Sequence, residues 1–266
     1  MQTDKNVIQR FFIKLKSRNP LLYYAGWGFF IAGIVSFLLI NTTQTRVLGI
    51  NSWIKPMKFY ISIGILCWTM AWYMVYLRKQ KAVKRYSWVL VMAMIIEMLI
   101  ITWQAANGRM SHFNVSTPLY GALFSVMGIV ISIFTLWTGY IGYLFIKQKE
   151  FPPFLPAGYI TGIRIGILFF VVFAFEGGWM AARLSHTVGA ADGSWGWPFL
   201  NWSRQYGDLR VAHFFGMHAL QLLPLAGYFI FRGKGQVIWL AVAYFVFVLL
   251  LLWQAISGQP LIPYSE

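Results

Sequence analysis

The stretch GDLRVAHFFGMHALQLLPLAGYF, residues 207–229, is long and apolar enough to cross a bilayer, yet its first half carries five polar side chains. They are Asp208, Arg210, His213, His218 and Gln221. A charged side chain at the bilayer centre costs about 2.5 to 3.5 kcal/mol even on a lenient insertion scale. Ionisable residues at such positions usually serve a function, so we expect these side chains to line a polar cavity.

Two carboxylates on other apolar segments lie at a depth similar to that of His218. Glu97 precedes the end of a predicted span by about nine residues, and Glu176 precedes the end of another by about eight. A helix rises 1.5 Å per residue, which puts all three groups about 12 to 14 Å below one boundary of the bilayer. We predict that Glu97, Glu176 and His218 converge in one cavity as its catalytic or proton-carrying groups.

Further polar residues lie between this level and the same boundary. The predicted substrate-binding residues are Lys55, Lys58, Gln104, Arg109, Arg183, Asp208, Arg210 and Gln221, and the predicted metal ligands are His112, His186, His213 and His218. All four histidines of the chain therefore fall in this half of the bilayer. Histidine is the commonest metal ligand, which favours a metal site over isolated hydrogen bonds between helices.

Three classes of function fit these residues. The first is a site for a transition metal (zinc, copper or iron) or haem, used for redox or hydrolytic chemistry in the membrane. The second is a proton-coupled transporter of a small anionic solute, whose basic residues recruit the anion. The third is a structural or assembly subunit. The gathered histidines favour the first class narrowly, and enzymatic activity stays open.

Other familiar sites are excluded by residue type or spacing. The last apolar segment, VIWLAVAYFVFVLLLLWQAIS, has no lysine that could form a retinal Schiff base. His213 and His218 are five residues apart, about 140° around a helix, so one regular helix cannot easily direct both at one metal. The single cysteine, Cys67, excludes a disulfide or a thiolate metal site within one chain.

Composition determines the elements that must position these residues. Hydrophobic residues make up 59% of the 266 residues and charged residues 11%, and the mean hydropathy is +0.62. A soluble globular chain has about 25% charged residues, so we predict an all-α polytopic integral membrane protein with one transmembrane domain, 1–266. Segments near the length of about 20 residues that a bilayer requires predict seven transmembrane helices, at about 21–41, 57–77, 87–106, 118–146, 157–184, 209–231 and 237–257.

Basic residues between the predicted spans indicate the orientation of the chain. Lysine and arginine cluster before the first span and after the second, fourth and sixth. The positive-inside rule then puts the N-terminus in the cytoplasm and the C-terminus outside, in a plasma (inner) membrane, with the polar cavity open to the outer side. The net charge of +15 is explained by this asymmetry and by attraction to anionic lipids of the cytoplasmic leaflet. No nucleic-acid motif is present, so no nucleic-acid partner is predicted.

A short internal repeat suggests how the helices are organised. WQAANG at 103–108 and WQAISG at 253–258 both end outward-going spans. In the same frame Lys55 matches Arg210 and Lys58 matches His213. This pattern predicts a parallel duplication of three helices on either side of a central helix, a 3+1+3 arrangement that some transporters use.

Overall fold

Long α-helices form almost all of the regular structure in the computed structural model, which describes residues 6–194 and 196–262. The described helices are α1 (Val7–Arg18), α2 (Pro20–Thr42), α3 (Ile54–Met74), α4 (Gln80–Ala106), α5 (Pro118–Lys147), α6 (Ala157–Arg183), α7 (Arg210–Phe229) and α8 (Lys234–Ile256). The described residues also form two short antiparallel strand pairs. In one, β1 (Arg46–Val47) pairs with β2 (Ile50–Asn51), and in the other, β3 (Thr187–Val188) pairs with β4 (Gly207–Asp208). The all-α class is confirmed, and helices α2 to α8 correspond to the seven predicted segments.

Five helices are long and apolar enough to cross a membrane: α2, α4, α5, α6 and α8. This finding is consistent with the predicted integral membrane protein. Helices α3 and α7 have 21 and 20 residues and are not among the five. Both begin with cations and carry further polar side chains, so the same residues that suggest a functional site also lower the apolarity of these two helices.

Consecutive long helices alternate in direction, so their connections gather at two opposite ends of the bundle. The loop end consists of residues 43–53, 107–117, 184–209 and 257–262. The basic end consists of α1 and residues 75–79, 148–156 and 230–233. A hydrogen bond from Lys58 Nζ, near the start of α3, to the Leu200 carbonyl (3.0 Å) joins α3 to the last long connection at the loop end. At the basic end, the Gly158 amide donates to the Arg232 carbonyl at 2.8 Å.

Helix α1 is an amphipathic element at the basic end, where the sequence predicts only a cluster of basic residues before the first span. Asn6 caps it by accepting a hydrogen bond from the Gln9 amide at 2.9 Å. On α1, Phe11 stacks against Trp72 at 5.0 Å between ring centroids, and Arg18 lies 3.8 Å from the centre of the same indole. The exposed Val7 on α1 suits a helix that lies along a membrane surface.

Helices α6 and α7 pack so closely that their backbones touch. A Cβ built on Gly162 of α6 would lie 2.5 Å from the Leu223 carbonyl oxygen, and one on Gly227 of α7 would lie 2.4 Å from the Gly158 carbonyl oxygen. No residue larger than glycine fits at either point without a shift of backbone. Small residues that allow helices to approach are typical of interfaces inside membranes.

Pro224 interrupts the hydrogen-bond ladder of α7, and a neighbouring helix supplies the missing donor. Proline has no backbone N–H, so the carbonyl four residues earlier, that of Leu220, loses its partner within the helix. The hydroxyl of Tyr73 on α3 donates to this carbonyl at 3.1 Å. Tyr73 and Leu220 are both buried, so the hydrogen bond satisfies a carbonyl that water does not reach.

The order of elements in the first three long helices recurs in the last three. A helix, a two-stranded pair and two further helices make up α2, β1, β2, α3, α4, and the same order makes up α6, β3, β4, α7, α8. The two WQA motifs end α4 and α8 with the same local structure. Gly108 and Gly258 have φ of +63° and +76°, and the residue after each donates its amide to the glutamine carbonyl of its motif, at 2.8 and 3.1 Å.

Candidate functional site

The first turn of α3 brings Lys55 against a histidine of the 107–117 connection. Lys55 Nζ donates to His112 Nδ1 at 3.1 Å, so the imidazole proton of His112 must be on Nε2 when the ring is neutral. Burial, together with the charges of Lys55 and His213, holds the pKa of His112 well below its ordinary value. The lysine therefore has a neutral acceptor and no carboxylate in direct contact.

Glu97, in the middle of α4, lies within electrostatic range of the Lys55 ammonium group. The residue is 5% exposed, and its carboxyl group has no hydrogen-bond partner among the described residues. A buried carboxylate without hydrogen bonds depends on a nearby cation for compensation. Lys55 is the cation whose charge acts on it, so the charge state of Glu97 and the charge of Lys55 are linked.

A second pair of titratable groups joins α6 to α7. His213 Nδ1 donates to Glu176 Oε2 at 3.1 Å, and the carboxyl side chain is 8% exposed. The other carboxylate oxygen, Oε1, is buried and has no hydrogen-bond partner in the described part of the chain. His213 is also within electrostatic range of His112. Two hydrogen-bonded pairs, Lys55–His112 and His213–Glu176, thus lie within electrostatic range of each other beneath the loop end. Glu97 lies within range of the first pair through Lys55.

Three cations from the first turns of α3 and α7 face one another in this region. Arg210 and Lys58 both lie within electrostatic range of Lys55, and Lys58 lies within range of Arg210. Arg210 is paired with Asp208, whose carboxylate accepts from Nε at 2.9 Å and from the guanidinium at 2.6 Å. Lys58 donates to the carbonyl of Leu200. Two of the three cations therefore bond only to neutral acceptors.

Next to the strand pair β3–β4, His186 lies between two aspartates. His186 Nδ1 lies 3.3 Å from Asp192 Oδ1 and 3.8 Å from Asp208 Oδ1. Burial and the charge of Arg210 outweigh the two carboxylates and lower the pKa of His186 to about 4. Burial alone would raise the pKa of Asp192, but His186 and hydrogen bonds from Ser185 and Thr187 lower it on balance. Asp192 thus has its own local donors.

Gln104 and Gln221 occupy different environments although both were predicted to bind substrate. Gln104 is fully buried on α4, and neither its amide nitrogen nor its amide oxygen has a partner among the described residues. Gln221 donates to Thr69 Oγ1 at 3.3 Å across the α3–α7 contact. Gln104 is therefore the predicted binding residue whose hydrogen-bonding capacity is unused, whereas Gln221 links two helices.

Three other predicted site residues lie apart from this group. His218 donates from Nδ1 to the Phe214 carbonyl at 2.7 Å, and its ring lies against Phe214 at 4.0 Å, so its described contacts are within α7. Arg109 and Arg183 are exposed, and the guanidinium of Arg183 lies 5.8 Å from the centre of the Trp179 ring. In the described contacts Glu176 pairs with His213, and the convergence of Glu97, Glu176 and His218 on one ligand stays a prediction.

The donor groups do not assemble into a metal centre within the described ranges. No group of three or more His, Cys, Asp or Glu side chains able to hold a metal ion is found there. The imidazoles are spread over separate partners: a lysine, two aspartates, a glutamate and a backbone carbonyl. The side chains in these ranges thus supply no set of three donors for a metal ion.

The structure adds residues that the sequence did not single out. Asp192 organises the 184–209 connection by accepting from the Thr187 amide at 2.9 Å and from Ser185 Oγ at 2.9 Å. Asn201 and Ser203 contact the Arg210–Asp208 pair: the Asn201 carbonyl accepts from Arg210, and the Ser203 amide donates to Asp208 at 2.9 Å. These contacts depend on the path of a long connection, for which the sequence gives no periodic signal.

Comparison of the chain with protein-family models, with curated proteins and with solved structures finds no match.

Proposed function

We propose that this protein binds a small anionic solute beneath the loop end and transports it with a proton. The observation that carries this proposal is the linkage at Lys55. Its ammonium group faces two other cations, Lys58 and Arg210, and bonds to the neutral His112, while the buried Glu97 is within range and lacks a hydrogen-bond partner. An anion and the ionised Glu97 would both compensate the same positive charge.

The proposed coupling follows from this competition. When Glu97 is ionised it neutralises Lys55, and an incoming anion meets repulsion from the carboxylate. When Glu97 is protonated, the three cations have a net excess of positive charge and attract the anion. Binding of anion and proton is then mutually favourable, as thermodynamic linkage requires. The unpartnered amide of Gln104, seven residues from Glu97 on the same helix face, is available to hydrogen-bond the solute.

For the architecture, we propose that α3 and α7 also cross the membrane, giving seven spans with a cytoplasmic N-terminus and an external C-terminus. Their lengths, 21 and 20 residues, match the hydrocarbon core of about 30 Å. The loop end is then external. Single cysteines at Lys81 and Ser116, labelled from outside intact cells, test this orientation. We expect labelling at position 116 alone, and labelling at position 81 instead would mean that the orientation is the opposite of the proposed one.

We also propose that α2–α4 and α6–α8 descend from a duplication around α5. The repeated order of elements and the matching ends of α4 and α8 support it. The cations then come from equivalent positions, the first turns of α3 and α7, and the anion site lies where the halves meet, as in other transporters built from repeats. Superposition of the halves of an experimental structure should match Lys58 with His213, and a shift of register between α3 and α7 would contradict the duplication.

Binding of succinate to the purified protein, measured calorimetrically at pH 6 and pH 8, tests the proposed linkage. The wild type should bind more tightly at pH 6, because protonation of Glu97 leaves Lys55 uncompensated. Glu97→Gln, which resembles the protonated acid, should bind more tightly than the wild type at pH 8 and show a smaller difference between the two pH values. Lys55→Gln should weaken binding at least about tenfold, as expected for a buried charge-assisted contact.

Arg183→Gln provides the matched control, since it removes one exposed cation from the same end of the bundle. It should bind succinate as the wild type does. Uptake of labelled succinate into proteoliposomes, with and without an acidic exterior, then distinguishes transport from binding. Equal loss in Lys55→Gln and Arg183→Gln, or an unchanged pH dependence in Glu97→Gln, would overturn the proposed site. Binding of the anion without uptake would limit the function to a sensor or assembly subunit.

A further inference from the structure

A groove of about 630 Å³ at the basic end contains four cations and no carboxylate in its lining. Its walls are Arg78, Lys79, Gln80, Lys81, Ala82 and Arg85 from the α3–α4 connection and the start of α4, and Trp137 and Tyr140 from α5. Arg78 is paired with Glu150, which lies outside the groove. The side chains of Lys79, Lys81 and Arg85 have no ion-pair or hydrogen-bond partner among the described residues. The groove thus has an excess of about three positive charges.

The backbone at this point adds to the positive potential. Helix α4 is 27 residues long and begins at Gln80, inside the groove. Its N-cap, Lys79, makes no side-chain capping hydrogen bond, and its first turn has no acidic residue. The N-terminus of a helix carries about half a positive charge, which favours an anion. In α4 the Gln80 and Ala82 amides donate to the Arg78 and Lys79 carbonyls, so the helix dipole supplies this potential. The helix end and the cations of the groove therefore favour the same kind of ligand.

The groove also borders apolar surface suited to acyl chains. Trp137 and Tyr140 pack edge to face at 5.9 Å between ring centroids, an aromatic pair of the kind found at the level of lipid headgroups. Leu136, which precedes Trp137 on α5, is 63% exposed, and Trp88, three residues after Arg85 on α4, is 52% exposed. A ligand that uses the whole feature must combine negative charge with long apolar chains.

We propose that this groove is a specific site for an anionic phospholipid whose headgroup carries two phosphates. The charge selects two phosphates over one, because three uncompensated cations and a helix N-terminus exceed what a single phosphate neutralises. Basic pockets at the cytoplasmic ends of transmembrane helices bind such headgroups. General attraction to the leaflet would need only basic residues spread over the surface, whereas this groove collects four of them along one open depression. The inference does not depend on the anion site at the loop end.

The test is native mass spectrometry of the full-length protein in detergent, with cardiolipin, phosphatidylglycerol or phosphatidylcholine added. One bound cardiolipin should persist at concentrations where phosphatidylglycerol dissociates, and phosphatidylcholine should not bind. Replacing Lys79, Lys81 and Arg85 by glutamine should weaken cardiolipin binding about a hundredfold, because three cation–phosphate attractions are lost. Since all three residues are exposed, the variant should fold. Arg85→Gln alone gives the same test with a smaller loss, of about fivefold.

The matched control replaces Lys14, Arg232 and Lys234 by glutamine, which removes the same charge from exposed positions at the same end. It should retain cardiolipin binding within about twofold. Equal loss in the two triple variants would overturn the site in favour of diffuse attraction. Equal retention of phosphatidylglycerol and cardiolipin would overturn the two-phosphate headgroup. Pyrophosphate is added at the same millimolar concentration as cardiolipin. Displacement of the lipid under this condition would assign the groove to a soluble phosphate compound instead of a lipid.

Discussion

The contact of α6 with α7 at Gly162 provides a sharp test of the packing. In Gly162→Ala the new Cβ would lie 2.5 Å from the Leu223 carbonyl oxygen, 2.7 Å from its carbonyl carbon and 2.8 Å from Pro224 Cα. All three are backbone atoms, so no side chain can rotate away. Ordinary contact requires about 3.5 Å or more, and α7 must therefore retreat by about 1 Å along this interface.

The expected cost is the difference between two terms. Overpacking of an interior costs about 1 to 3 kcal/mol, and alanine recovers about 1 kcal/mol of helix propensity relative to glycine. Gly178→Ala on the same helix is the matched control, because nothing lies within 4 Å of its Cβ position. That variant should gain the propensity term alone. The two alanine variants should then differ by about 1 to 3 kcal/mol.

Thermal unfolding of both variants in one detergent measures this difference. At about 2 to 4 °C per kcal/mol for a chain of this size, Gly162→Ala should melt several degrees below Gly178→Ala. Cross-linking of cysteines across α6 and α7 reports the separation of the helices independently. A melting temperature of Gly162→Ala equal to or above that of Gly178→Ala would refute the backbone contact.

Three more substitutions or conditions test other contacts. Tyr73→Phe should destabilise the protein by about 1 to 3 kcal/mol in denaturant unfolding, since the Leu220 carbonyl is then buried without a partner; a neutral result would mean that water satisfies it. The pKa of His186 is about 4 in the folded protein and about 6.5 when unfolded, so its neutral form stabilises the fold above pH 6.5. This contribution, about 3 kcal/mol, is lost as the pH falls from 6.5 to 4. His186→Gln should weaken the stability loss in that range, and an identical pH profile would contradict it. Asp208→Asn should cost about 1 to 3 kcal/mol, because the buried Asp208 loses its charge-assisted hydrogen bonds to Arg210, whose side chain is 25% exposed, whereas Glu150→Gln, at an exposed pair, should change the melting temperature little.

The positions of the long helices follow from the sequence because apolar length is a strong signal. Six of the seven predicted segments begin within about three residues of the observed helix. Helix α4 begins at Gln80 rather than at about 87, because its first turns are helical but basic, and apolarity marks the hydrocarbon core rather than the helix. Helix α1 was missed for a related reason, since amphipathic helices at a membrane surface lack a continuous apolar run.

The sequence predicts the depth of the candidate site but not the direction of its side chains. Rise per residue gives the level of Glu97 and Glu176 along their helices, but it does not give the angle of each side chain around its helix. The structure brings His213 to Glu176, while His218, five residues later, contacts its own helix. Which helices adjoin, and how the 184–209 connection crosses them, determine these pairs. Neither follows from the composition of single segments.

In the proposed seven-span arrangement, the polar character of α3 and α7 has a consequence for how the chain enters the membrane. A lysine or arginine within a segment opposes its partitioning from the translocation channel into lipid, so neither helix is well suited to leave the channel alone. Each follows a strongly apolar helix, α2 or α6, and packs most closely against it. We expect the chain to be released as two helical hairpins, in which the apolar member retains the polar one until its partners from the other half arrive.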